Sequence, residues 1–200
     1  MNRRSSNIDM KIVVLGSSYV GKTSIINRYC NGTFIEETRS TIGAGFFTHS
    51  LTVDDIEVTI MLWDTAGEER FRSVAPSLLR GANGLIIVFD ITQKQSFDDI
   101  DIYLDMFLDH YKVEQDQEIP VLLLGNKTDL GNKIIPDESI EKWKKKNHVS
   151  LYYEVSAKTG LNIEKAIEEL VHEIVVPQQV YDSTPIKIDP TVQPQPKNCC

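Results

Sequence analysis

Four short apolar runs mark the chain: KIVVL (11–15), GLIIVF (84–89), VLLLG (121–125) and LYYEV (151–155). Runs of this length predict strands buried on both faces, with LYYEV the weakest pattern of the four. Between them, Phe97, Ile100, Leu104, Phe107, Leu108 and Tyr111 recur at helical spacing. Ser96, with Asp99 three residues on, offers that helix a capping box. Ile163, Ala166, Ile167, Leu170, Val171 and Ile174 form one stripe and predict a final helix. Strands alternating with helices predict a parallel α/β sheet covered on both faces.

One region alternates instead. FFTHSLTV (46–53) and EVTIMLW (57–63) flank a polar Asp54-Asp55 and predict a hairpin. Phe47, His49, Leu51 and Val53 share one face, and Val58, Ile60 and Leu62 point together on the second strand. Phe46 and Trp63 then fall on the more polar faces. Either a neighbouring loop covers them or they are two exposed aromatics for a partner.

From Pro177 onward, PQQVYDSTPIKIDPTVQPQPKNCC is rich in Pro and Gln and predicts an extended, disordered tail. The expected organisation is a flexible start over residues 1–9, one domain over 10–176 and a tail over 177–200. The 41% hydrophobic and 25% charged residues are ordinary for a soluble domain. The formal charge of -8 argues against a general nucleic-acid binder held by phosphate contacts. Three cysteines make no disulfide framework and fit a reducing compartment. The opening residues hold no signal-peptide hydrophobic stretch, and the longest apolar runs fall far short of a membrane span.

GSSYVGKT (16–23) fits G-x-x-x-x-G-K-[ST], directly after a strand run and before the helical TSIINRY. Gly16 and Gly21 let the backbone wrap closely, so that successive N–H groups of Ser18, Tyr19, Val20 and their neighbours face a phosphate at a helix N-terminus. Lys22 supplies a point charge, and the Thr23 hydroxyl, followed by Ser24, suits Mg²⁺. NKTD (126–129) stands at the end of VLLLG, beyond a strand carboxyl end, where ligands bind in α/β sheets. The Asp129 carboxylate can accept from both N1–H and the amino group of guanine, whereas adenine presents a lone pair at N1. The Lys127 stem could cover the base, and Asn126 could tie the loops together.

GSSYVGKT, the Thr of STIG (Thr41), DTAG (64–67), NKTD (126–129) and SAK (156–158) occur in the order of the Ras-like small GTPases, which the chain resembles over about residues 10 to 176. WDTAGEERF, LLRGANG, IVFDIT and the terminal Cys-Cys resemble the Rab branch, and STIGAGF with SVAPSLLRGA resembles its early-endosomal members. The resemblance implies a P-loop small G domain. Its α/β fold would be a mixed, mostly parallel six-stranded sheet with helices on both faces. It also implies a GTP/GDP switch of vesicle traffic on the cytoplasmic face of a membrane, a monomer with Mg²⁺ as cofactor. Its expected partners are a guanine nucleotide exchange factor, a GTPase-activating protein, a GDP-dissociation inhibitor or escort protein, and effectors.

By the same resemblance, Thr41 would complete the Mg²⁺ shell and Asp64 would hold the metal through water. Gly67 N–H would bind the γ-phosphate and Ala157 N–H would meet guanine, with Ser156 and Lys158 shaping that loop. Phe34 matches the aromatic that packs against the base, or else is a core Phe. Phe46 and Trp63 match two of three effector-facing aromatics, and the third position is Leu78. Tyr19 stands where the family has a smaller residue; it is either a surface ring or one that shields the phosphates. Cys199 and Cys200 imply double geranylgeranylation outside the C-a-a-X route, and two chains make anchoring stable. Lys187 and Lys197 are the tail's only cations, so anionic lipids add little attraction.

Glu68 follows DTAG where the family carries Gln. An amide can accept from the attacking water and donate toward the γ-phosphate, whereas an ionised carboxylate can only accept. Lys22, Thr41, Gly67 and Glu68 are therefore the expected catalytic group, in a slow GTPase. The alternative is a GTP-binding module with negligible hydrolysis, controlled by exchange and membrane delivery. An ATP-dependent kinase sharing only the P-loop is disfavoured by NKTD together with SAK.

Overall fold

The computed structural model describes residues 8–36, 41, 43–65, 78–111 and 119–182, with the side chains of the last helix described as far as Val175. Six strands form one sheet: β1 (Ile8–Leu15), β2 (Ala44–Val53), β3 (Ile56–Thr65), β4 (Gly84–Asp90), β5 (Val121–Asn126) and β6 (Leu151–Glu154). Their order is β2-β3-β1-β4-β5-β6. Only β2 and β3 run antiparallel; every other neighbouring pair is parallel. The expected mixed, mostly parallel α/β sheet is the observed one.

The helices are α1 (Lys22–Asn31), α2 (Lys94–Asp98), α3 (Ile100–His110), α4 (Asp137–Lys146) and α5 (Ile163–Asp182). Continuous apolar runs split by period two into two cores. Ile12, Val14, Ile86, Val88, Leu122 and Leu124 pack with α1 and α5 on one face. Val13, Leu15, Ile87, Phe89 and Leu123 pack with α3 and α4 on the other. Burial on both faces is why these strands are apolar throughout rather than alternating. All six residues of the predicted α5 stripe are buried.

The hairpin forms as its alternation predicts. Phe46 pairs with Trp63 and Val53 with Ile56, and the turn takes positive φ at Asp54 (48°) and Asp55 (65°). Aspartate tolerates that conformation better than most residues, and two positive φ values match the twist of the strands.

Three expectations are corrected. Ser96 is not a helix cap: it lies inside α2, where its hydroxyl accepts from the Asp90 N–H (3.0 Å) and donates to the Gln93 carbonyl (2.8 Å). The buried end of β4 needs that partner, so tertiary hydrogen bonding displaces the local cap. Leu108 is half exposed rather than part of the buried stripe. The tail expected to be extended from Pro177 begins as helix instead, with α5 continuing to Asp182, and β1 starts at Ile8, in register with Val58. Extending a helix already nucleated by packing is cheaper than starting one, so composition alone misplaces its end.

Candidate functional site

The carboxyl ends of β1, β3, β4 and β5 converge on the P-loop, which leaves β1 and enters α1. Gly16 (φ 145°) and Gly21 (φ 98°) both need glycine, because a Cβ on Gly16 would sit 2.2 Å from the Val88 carbonyl oxygen. A Cβ on Gly21 would sit 2.3 Å from Asn126 Nδ2. Gly16→Ala is expected to lower stability by about 2–4 kcal/mol through overpacking and backbone strain. Chemical denaturation in the absence of nucleotide checks this, and an unchanged midpoint would refute it.

Lys22 is buried and folds back along the loop, donating to the Gly16 (2.8 Å) and Ser17 (2.9 Å) carbonyls. Burial pushes its pKa down to about 8, with Asp64 opposing that shift. An anion brought to this ammonium would restore its charge preference. Val20 is core, and its carbonyl accepts from Asn126 Nδ2 at 2.8 Å. Ser18 Oγ is buried without a partner among the described residues.

Beside the lysine, three side chains from three segments meet. Thr23 Oγ1 lies 2.8 Å from Thr41 Oγ1 and donates to Asp64 Oδ2 at 2.6 Å; Thr41 reaches the same oxygen at 3.4 Å. Asp64 is 2% exposed, and its Oδ1 is buried with no hydrogen-bond partner among the described residues. Burial raises its pKa, an effect opposed by the Thr23 hydroxyl, Lys22 and the Thr41 hydroxyl. An orphaned carboxylate oxygen beside two hydroxyls is a hard-oxygen donor set that fits Mg²⁺. No cluster of three or more His, Cys, Asp or Glu able to hold a metal occurs among the described residues. Magnesium suits such sparse protein ligation because phosphate oxygens and waters complete its shell.

On the other side of the P-loop opens a cavity of ≈ 290 Å³. Tyr19, Gly21, Ser24 and Phe34 line it together with Asn126, Lys127, Asp129, Ala157 and Lys158. Asn126 ties two loops, donating to Val20 and accepting from the Ala157 N–H at 3.1 Å. That N–H was expected to face guanine; buried here, it needs and finds Asn126 as its partner. Ser156 donates to Asp129 Oδ1 at 2.6 Å and accepts from the Thr159 N–H. Lys127 adopts a left-handed φ of 73° and pairs with Asp90 at 2.7 Å. Asp90 was missed as a site residue, although its place at the end of IVFD was a signal. Ile35, Glu36 and Leu130, also missed, complete the lining. Nothing in their residue types announced them.

Tyr19 has a ring that is 68% exposed and also lines the cavity. Phe46 is 63% exposed and lies 5.7 Å from the half-buried Trp63, ring centroid to centroid. Lys11 Nζ covers the Trp63 ring at 4.7 Å, so Trp63 is partly shielded and Phe46 is not. Leu78 is half-buried. Gly67, Glu68, Cys199 and Cys200 lie outside the described residues.

A phosphate cradle, a hard-cation corner and a base-sized cavity in sequence along one sheet edge define a nucleotide-binding domain. The Ras family profile matches residues 11–176. The chain is 37% identical to the Ras-related protein Rab-7b of Paramecium octaurelia, across 95% of this chain and 96% of that one. It is 40% identical to Drosophila melanogaster Rab7 over 80% of this chain and 77% of that one. It is 35% identical to Mus musculus Rab-7b over the full length of both. The chain belongs to the Ras family and is a Rab-like small GTPase of membrane trafficking. Members of this family are GTPases that bind GTP or GDP with Mg²⁺, and Rab GTPases work with exchange factors, activating proteins, dissociation inhibitors and effectors. The likeness of STIGAGF and SVAPSLLRGA to early-endosomal Rabs is not supported: these three relatives carry the Rab7 name.

Proposed function

We propose that the chain is a slowly hydrolysing GTP/GDP switch, anchored through Cys199 and Cys200 to the cytoplasmic face of an endosomal membrane. The observation that carries this reading is the meeting of Thr23 and Thr41 at Asp64 Oδ2, with Asp64 Oδ1 buried and unpartnered among the described residues, beside a buried Lys22. Thr41 belongs to the segment after α1, and Asp64 leads into the segment bearing Gly67 and Glu68. Thr41 and Gly67 would hold their segments in place through a bound Mg²⁺ and γ-phosphate, and losing the phosphate would release both for partners to read.

Within that cycle each residue has a physical task. Lys22 neutralises outer phosphate charge, and the loop N–H groups of Ser18 to Ser24 orient the phosphates. Thr23 and Thr41 present hydroxyl oxygens to the cation, with Asp64 supplying charge behind them. Asp129 and the loop of Ser156, Ala157 and Lys158 select the base. Phe34 closes the cavity edge. Phe46, with Trp63 beside it and Leu78 beyond, forms the surface offered to effectors. Glu68 accepts from the attacking water without donating to the phosphate, so hydrolysis is slow.

Titration of the nucleotide-free chain with GTP, GDP and ATP, each with and without Mg²⁺, tests the central reading. Guanine nucleotides are expected to bind tightly only with Mg²⁺; equal binding of ATP would sink it. The anchor has its own test, because no helix among the described residues is long and apolar enough to cross a membrane. Changing both Cys199 and Cys200 to Ser is expected to move the cell-expressed protein from the membrane to the soluble fraction. Undiminished membrane association would place the anchor elsewhere.

A further inference from the structure

Arg28 stands in the last turn of α1, outside every motif named above. Its guanidinium donates to three backbone carbonyls. Nε reaches Ala157 at 2.9 Å, one terminal nitrogen reaches Lys158 at 2.7 Å, and the other reaches Gly32 at 2.7 Å. Ala157 and Lys158 form one wall of the cavity, while Gly32 opens the segment that brings Phe34 and Glu36 to the facing wall. One planar fork therefore joins α1 to two loops that belong to no common strand or helix.

A helix-end role explains the contact with Gly32, whose N–H already caps α1 through the Arg28 carbonyl. It does not explain the two bonds across to the other wall. Because a peptide unit is planar, holding the Ala157 carbonyl also holds the Lys158 N–H in the same plane. Arginine is suited to this: its donors are rigidly spread, whereas lysine offers one ammonium at a point. A second tie between the walls among the described residues, Lys158 to Glu36 at 3.2 Å, joins two exposed side chains and should contribute little.

We propose that Arg28 is the positioning residue that holds the base end of the nucleotide cavity closed and so sets the rate of nucleotide release. The proposal rests on the reading of this cavity as a guanine-nucleotide site. Opening that end requires the Ala157 and Lys158 carbonyls to leave the guanidinium or Arg28 to leave Gly32. Neither movement breaks a hydrogen bond among Thr23, Thr41 and Asp64 at the metal corner.

The test is release of fluorescently labelled GDP from the full chain, chased with unlabelled GDP, first in Mg²⁺ and then in EDTA. Arg28→Ala is expected to speed release in Mg²⁺ by roughly 10- to 100-fold, matching the loss of one charge-assisted hydrogen bond. Arg28→Lys, which keeps the stem and the charge, should fall between Ala and the native protein. Since Arg28 acts at the base end, EDTA should multiply release by the same factor in all these proteins. A collapsed EDTA factor would mean general loosening and would overturn the proposal, as would native release rates in the Arg28 variants. If thermal unfolding shows that Arg28→Ala does not hold its fold, Arg28→Lys decides alone, and its release at the native rate overturns the proposal. Asp129→Asn, run alongside, separates the two readings. Unchanged GDP affinity in that variant removes the nucleotide reading and the proposal with it. Weakened affinity combined with native release from the Arg28 variants removes only the proposal.

Discussion

Glu68→Gln is expected to raise the single-turnover rate of GTP hydrolysis by up to about a thousandfold. Two unit charges about 4 Å apart at an effective dielectric of about 20 repel by about 4 kcal/mol. At about 1.4 kcal/mol per decade, that repulsion corresponds to about three decades of rate. Glutamine removes the charge and adds a donor toward the γ-phosphate, while keeping an acceptor for water. A smaller gain has its own explanation: Glu68 can swing toward Arg70 or Arg72 and escape the repulsion, but then it orients no water. The same measurement separates an enzyme from a loaded binding module. No gain on restoring Gln would show that Glu68 is not what limits hydrolysis.

Asp129→Asn should weaken GTP binding by roughly 10²- to 10⁴-fold, the equivalent of two charge-assisted hydrogen bonds at about 1.5–3 kcal/mol each. The structure explains why the fold should survive this change. Asp129 is exposed at the cavity edge, and its one described hydrogen bond comes from the Ser156 hydroxyl, which can donate equally to an amide oxygen. The asparagine N–H₂ then opposes the guanine amino group but matches the carbonyl that xanthine carries at that carbon. Xanthosine triphosphate is therefore expected to bind the variant more tightly than GTP does. Competition of each nucleotide against labelled GDP reads this directly. Unaltered GTP affinity would remove Asp129 from base recognition.

Much of the site was legible because its chemistry is written in short chain segments. GSSYVGKT needs only a strand before it and a helix after it, and both are there. The hairpin was legible because a half-buried strand must alternate, and Phe46 and Trp63 fall opposite one another as that period requires. Tyr19 was read as either surface ring or phosphate shield. Only the path of the P-loop, with φ 63° at that residue, puts an exposed ring at the cavity mouth.

Sequence by itself determined the sheet strands, the phosphate loop, the candidate base-selecting Asp129 and the anomaly at Glu68. These rest on neighbours within a few residues, where periodicity and turn chemistry act. Tertiary structure alone decided which hydrogen-bonding groups are taken. Ser96 serves the end of β4 rather than its own helix, and the Ala157 N–H meets Asn126. Lys127 pairs with Asp90, and Arg28 grips carbonyls 129 and 130 residues away. The physical reason is burial: a polar group removed from water must find a partner, and its partner is whatever packing brings within 3 Å or so. No local pattern records that choice, because it is made when separate segments meet around the two cores.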